Sequence, residues 1–273
     1  MTTKRIKRLL FDWHIPGFLD RVWLDIPAYL AAIDRMLPET VYLMAKSAFG
    51  CTYYDDSFGY RNRALEQDLF ADLVEPLHER GVEVFTYFNI TLNDLVAEEH
   101  PEWHQISPEG EKVIKYEYHQ LCMNSPYRDL LFEMMAENAR KYAVDGFWFD
   151  LQYMHETGCF CESCRTQFEE ETGVPLTPEE AESSEVNARF HTFRRDTRRR
   201  FITEAMDRLR RERPELRFGY NHAGDPGYSE VELDAHADLL SMEFHPPGFA
   251  GGGLAARYMQ SSGKPFELML PES

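Results

Sequence analysis

The chain contains no apolar stretch close to the ~18 residues that a membrane span needs. Its basic opening, MTTKRIKR, leads into no signal-like apolar core. Positive charge is scarce: 29 Lys+Arg stand against 47 Asp+Glu, a formal net charge of −18. A chain this acidic repels polyphosphate backbones and anionic lipid surfaces, so neither nucleic acid nor a membrane is an expected partner. Cysteine is sparse as well. The count of five is odd, and three of the five crowd into residues 159–164. Without a secretion signal this excludes a disulfide scaffold and points to a reducing, cytoplasmic location. The first loop, HIPGFLD, lacks the GxGxxG of a dinucleotide-binding fold. There is no internal repeat and no low-complexity linker, so residues 1–273 read as one domain.

What is present is alternation. Seven short apolar runs recur: RLLFDW (8–13), TVYLMAK (40–46), VEVFTYFN (82–89), DGFWFD (145–150), LRFGYN (216–221), DLLSMEF (238–244) and KPFELML (264–270). Each is too short for a helix and rich in aromatic and branched residues, as a strand buried on both faces should be. Between them lie helical patterns: residues 28–37 stopped by Pro38, and residues 66–80 capped by Gly81. Ser125-Pro126 opens a third helix in cap-then-proline order. Phe190, Phe193, Phe201, Ala205 and Leu209 form the buried stripe of a long fourth helix. The arginines 194, 195, 198, 199 and 200 on its other side read as a solvated face.

Repeated strand–helix alternation argues for a parallel α/β fold. Several strands end in polar or chargeable residues where the loop begins, and in a TIM (β/α)8-type barrel the active site is assembled at that end of the strands. The expected fold is therefore such a barrel. Seven strands are counted, which suggests truncation after the seventh, with residues 104–122 read as a hairpin turning at Pro108-Glu109-Gly110. The unpaired edges of an open sheet would favour association into a homo-oligomer.

The sharpest chemical signal is Asp150, a carboxylate held at the barrel mouth by aromatic residues. Such a group can attack an anomeric carbon while a second carboxyl donates the proton. Glu243, after the apolar run DLLSM, is the expected partner. Glu267 is its rival on the next strand and Glu272 a weaker one. Asp12, Trp13, His14, Lys46, Asn221, His222 and His245 are the expected lining of a sugar pocket, since aromatic faces stack on sugar rings while polar groups orient hydroxyls. Cys159, Cys161 and Cys164 form a C-x-C-x2-C cluster suited to a structural zinc, with Cys122 or His155 as the fourth ligand. No cofactor is expected for the chemistry itself.

Four segments are similar to one family: AKSAFGCTYY (45–54), HPEW (100–103), LCMNSPYRDLL (121–131) and DGFWFDLQYMHETGCFCESC (145–164). Together they resemble the hypothetical glycosyl hydrolase 6 family, barrel proteins described as α-L-fucosidase-like or as relatives of family 42 β-galactosidases. The resemblance runs from about residue 8 to 270. It implies a barrel glycoside hydrolase with a carbohydrate as its partner, and it names no sugar. It further implies that the chain continues past the barrel. The WFD at 148–150 is similar to the nucleophile motif of α-L-fucosidases, which carries that role to Asp150. Family 42 enzymes bind zinc through a similar cysteine cluster and place an acid/base Glu after the fourth strand. This chain has Asp-Leu-Gln there, so that second role does not transfer.

The expected function is thus a retaining glycoside hydrolase. Two other readings compete. One is a metal-dependent hydrolase built on Asp12, His14, Asp150, His222 and His245, although no HxH or HExxH spacing supports it. The other is a sugar-binding barrel without turnover.

Overall fold

The structure is a computed structural model that describes residues 8–16, 18–222, 231–243 and 249–269. Its sheet has seven parallel strands: β1 (Arg8–Leu10), β2 (Thr40–Lys46), β3 (Glu83–Asn89), β6 (Gly146–Asp150), β7 (Arg217–Asn221), β8 (Leu239–Glu243) and β9 (Phe266–Met269). They lie side by side in chain order. A doubly wound sheet would reverse that order at a switch point, so this is the wall of a barrel. The wall is curled tightly enough for Arg8 on β1 to reach Glu267 on β9, the opposite edge of the sheet, at 2.9 Å.

Helices α1 (Ile26–Met36), α2 (Leu69–Glu79), α4 (Tyr127–Lys141), α7 (Ser184–Glu212), α8 (Val231–His236) and α9 (Phe249–Ser261) connect the strands. Helix α1 begins at Asp25, whose side chain accepts from the Ala28 amide, and ends at Leu37 in the left-handed region just before Pro38. Helix α4 departs from the expected cap. Pro126 occupies the cap position, and the Ser125 hydroxyl instead donates back to the Cys122 carbonyl. The segment before it also differs from one simple hairpin. A turn at 107–110 is present, but a second hairpin follows, β4 (Ile114–Lys115) with β5 (Tyr118–His119).

Alternation along the strands sorts their side chains into two layers. Phe147, Phe149 and Phe218 face outward, where the Arg210 guanidinium of α7 lies 4.8 Å from the Phe218 ring. Trp148 faces inward between Tyr42 and Tyr87, at 5.5 and 5.4 Å. Gly219 leaves room for it: a Cβ there would sit 3.0 Å from the indole.

The buried stripe of α7 serves two cores. Phe201, Ile202, Ala205, Met206 and Leu209 pack on the barrel. Val186, Phe190 and Phe193 instead close a satellite core with Cys122, Cys159, Cys161, Cys164 and Phe168, the last two on α5 (Glu162–Thr172).

Candidate active site

Asp150 ends β6 and is 7% exposed. Three donors surround its carboxylate: the Tyr87 hydroxyl reaches Oδ2 at 2.6 Å, while the Asn221 amide (2.9 Å) and the Leu151 amide (2.8 Å) reach Oδ1. Leu151 adopts a φ of +54°, a region that side chains with a Cβ rarely occupy. Its carbonyl is held there by the Thr91 amide and hydroxyl. Strained residues of this kind concentrate at working sites. Burial pushes the Asp150 pKa up to about 6, with the Glu243 charge adding to the rise, while the hydrogen bonds from Tyr87, Asn221 and Leu151 oppose it.

Glu243 ends β8 two strands away and is half-buried. The Asn221 Nδ2 that serves Asp150 also donates to Glu243 Oε1 at 2.9 Å. Two oxygens sharing one nitrogen at 2.9 Å cannot lie more than about 5.8 Å apart, twice that bond length. That ceiling, set for Asp150 Oδ1 and Glu243 Oε1, lies below the roughly 6.5–9.5 Å between carboxyls that an inverting glycosidase needs.

Glu267 also faces inward, one layer deeper. Tyr42 (2.8 Å) and Ser241 (2.6 Å) donate to one of its oxygens and Arg8 (2.9 Å) to the other. Its carboxylate is therefore fully engaged within the barrel, and Glu243 is the carboxyl that Asn221 joins to Asp150. Glu272 and His245 lie outside the described residues.

The expected pocket lining divides. His14 comes near, its ring 6.3 Å from Tyr87. Its Nδ1 accepts from the Ala48 amide, which leaves the proton on Nε2 to be donated to Asp12 at 3.1 Å. Burial holds the His14 pKa below its usual value, Lys46 adds to this, and Asp12 opposes it. Asn221 is the bridge itself. Three others do not reach the pocket. Trp13 turns toward the helical layer and packs edge-on against Tyr29 of α1 at 6.0 Å. The Lys46 side chain is fully buried, and its ammonium donates to the carbonyls of Ser47, Asn89 and Leu92. Burial lowers its pKa to about 7. His222 stacks on Tyr220 and lies against the Ser241 carbonyl and Asp234, behind the sheet. The residues of a metal-dependent hydrolase are thus not brought together: His222 faces away and His14 Nδ1 is already engaged. Tyr87, absent from the expected lining, is the residue that sequence reasoning missed. Strand alternation from Asn89 at the mouth would have placed it inward.

The cysteines do gather. The sulfurs of Cys122, Cys159, Cys161 and Cys164 lie within 4.8 Å of one another, all buried, so Cys122 completes the set. His155 turns to Thr157 instead. Among the described residues no other group of His, Cys, Asp or Glu could hold a metal ion. Asn124 donates from its backbone to Cys122 and from its side chain to Cys164, both at 3.3 Å, the outer hydrogen bonds expected of metal thiolates. Its neighbours, Cys159 first, push the Cys122 thiol up, while Cys122 and the rest pull Cys161 down. Four sulfurs and no fifth ligand suit a closed structural zinc.

The sequence model of the hypothetical glycosyl hydrolase 6 family matches residues 25–151. The resemblance seen in the sequence is therefore shown across the segment that ends on Asp150 and Leu151. No curated protein matches the chain. Among solved structures, α-L-fucosidase isoenzyme 2 from Paenibacillus thiaminolyticus is similar at 24% identity with a TM-score of 0.80, over 97% of this chain and 40% of that one. A β-galactosidase from Rahnella sp. R3 is similar at 19% identity and a TM-score of 0.72, over 90% of this chain and 43% of that one. The PgaB glycoside hydrolase domain from Bordetella bronchiseptica is similar at 15% identity and a TM-score of 0.71, over 97% and 83%. The chain spans about two fifths of the length of the first two. At these identities the likeness is one of fold, and the fold is that of glycosidase barrels.

Proposed function

We propose that the chain acts as a retaining glycoside hydrolase, with Asp150 as nucleophile and Glu243 as acid/base. The observation that carries this reading is the shared amide of Asn221, which keeps an oxygen of each carboxyl within about 5.8 Å of the other, closer than inversion needs. Three donors hold the Asp150 carboxylate, which is ionised above about pH 6. Asp150 attacks the anomeric carbon as Glu243 protonates the departing oxygen. Glu243 then takes a proton from water, which releases the sugar from Asp150. Electrostatics favour a neutral carbohydrate in a chain of charge −18. Among the described residues no helix is long and apolar enough to cross a membrane. The cysteine set would hold zinc away from this chemistry, ordering the loop after β6.

The test is a panel of nitrophenyl glycosides that begins with the α-L-fucoside and the β-galactoside. Turnover with retained configuration is expected on at least one. Glu243→Ala should spare substrates with good leaving groups, and azide should partly restore its rate. An inverted product would break the mechanism. No turnover on any member, with glycan binding intact, would favour the non-catalytic barrel.

A further inference from the structure

Aromatic side chains form a continuous path from the candidate nucleophile to the surface. Tyr87, bonded to Asp150, lies 6.3 Å from the His14 ring, and His14 lies 6.3 Å from Tyr118 on the β4–β5 hairpin. Tyr118 packs edge-on against Phe49 at 4.9 Å, and Phe49 against Phe18 at 6.5 Å. The path opens outward along its length. Tyr118 and Phe49 are half-buried, while Phe18 is 79% exposed. Tyr116, at the hairpin tip, is 64% exposed. Tyr116 and Glu117 both adopt left-handed φ, +52° and +70°, in a two-residue turn that ordinarily takes Asn or Gly. Lys115 anchors the hairpin over Tyr153, three residues beyond Asp150, at 4.2 Å.

Large aromatic rings left open to water, contiguous with a pocket, mark a ligand surface. Three classes of ligand compete for it. A nucleic acid or another polyanion is opposed by the net charge of −18. A peptide would call for an unpaired strand edge or a helix-sized groove, whereas this surface is a line of separate rings ending at two carboxyls. A neutral saccharide fits: its C–H faces stack on aromatic rings and its hydroxyls meet the polar ends of Tyr116 and Tyr118.

We propose that the β4–β5 hairpin and the loops after β1 and β2 form an aromatic track for the second and later sugars of a neutral oligosaccharide whose terminal sugar sits at Asp150. This rests on the glycosidase reading for the terminal position and makes the substrate class an oligosaccharide rather than a small glycoside.

The test is binding to a glycan array of neutral mono- to hexasaccharides, with Glu243→Gln as background so that nothing is turned over. Trisaccharides and longer chains should bind at least about tenfold more tightly than their monosaccharides, the scale of a stacked ring or two. Phe18→Ala and Tyr116→Ala, both exposed and so harmless to folding, should each remove much of that gain without altering monosaccharide binding. Binding independent of chain length, variants indistinguishable from the background, or retention of no glycan would each overturn the track. Nitrophenyl glycoside turnover alongside any of those results would leave the glycosidase reading standing. Length-dependent binding without turnover by the wild-type chain would sink that reading and leave the track.

Discussion

Two carboxylate layers lie inside this barrel, one above the other, and they are built on opposite principles. At the lower layer, Glu267 meets a guanidinium and two hydroxyls, so its charge is neutralised where it stands. At the upper layer, the donors that the described residues offer Asp150 are neutral, and one of them is shared with a second carboxylate. The lower arrangement closes the interior. The upper one brings two acidic groups within reach of one amide, the arrangement on which the proposed displacement at a sugar carbon rests.

The largest expected difference between the layers lies in turnover. Asp150→Ala should lower it by at least about 10³-fold, since nothing else supplies the nucleophile. It should not unfold the protein. The folded-state pKa of about 6 lies above the ordinary 3.8, so folding favours the protonated form. Any stability linked to Asp150 is therefore greatest below about pH 4 and is lost as pH rises through 6. At pH 7 the buried carboxylate costs about 3 kcal/mol, and its removal offsets the packing lost. Glu267→Ala should do the reverse. It strands Arg8 in the interior, costing about 3–5 kcal/mol in denaturant titrations, while kcat per folded molecule stays near wild type. Lost turnover at full stability in Glu267→Ala would make the lower layer the catalytic one.

Much of this contrast was legible in the sequence, and the rest was hidden for definite reasons. DGFWFD announced both a buried strand and the acid at its end, because aromatic residues around a terminal Asp leave that carboxylate few other places to go. The errors came mainly from consecutive residues. Asn221 and His222 both looked like pocket residues, yet successive side chains on a strand point to opposite faces, so only one could serve. Trp13 and His14 also point apart, although both lie in the loop beyond β1. Lys46 was hidden differently: two of the three carbonyls that take up its ammonium belong to Asn89 and Leu92, more than forty residues away. No local pattern reveals such a partnership. Cys122 joins Cys159, Cys161 and Cys164 across a comparable distance, and only the thiol chemistry they share hinted at it.

A smaller effect separates barrel from satellite. The barrel core is large and needs no staple, whereas the satellite core is a short list of side chains around four sulfurs. Small cores of this kind depend on a metal or a cross-link. Purified protein should carry about one zinc per chain, and Cys161→Ser should lower both metal content and melting temperature. The barrel's turnover should fall less than its stability, because the cluster shapes the loop after β6 without touching Asp150. Metal-free protein with an unchanged melting temperature would reduce the quartet to ordinary packing.

The finest comparison sets two tyrosines side by side, because each donates one hydroxyl to one carboxylate: Tyr87 to Asp150, Tyr42 to Glu267. The Tyr87 bond lowers the Asp150 pKa against the burial that raises it. Tyr87→Phe removes that restraint, so the acid limb of the rate profile, expected near pH 6 in the wild type, should move to higher pH. A net hydrogen bond to a charged group contributes about 1.5–3 kcal/mol, and a shift of about one pH unit is the scale to look for. Maximal kcat at high pH should change little, since Asp150 is ionised there with either residue. Tyr42→Phe removes a bond of the same type, but Arg8 and Ser241 still hold Glu267. It should cost roughly 1 kcal/mol of stability and leave the acid limb where it was. A limb that moves in Tyr42→Phe and stays put in Tyr87→Phe would mean that the carboxylate whose ionisation governs the reaction is Glu267, in the lower layer, and would transfer the nucleophile role to β9.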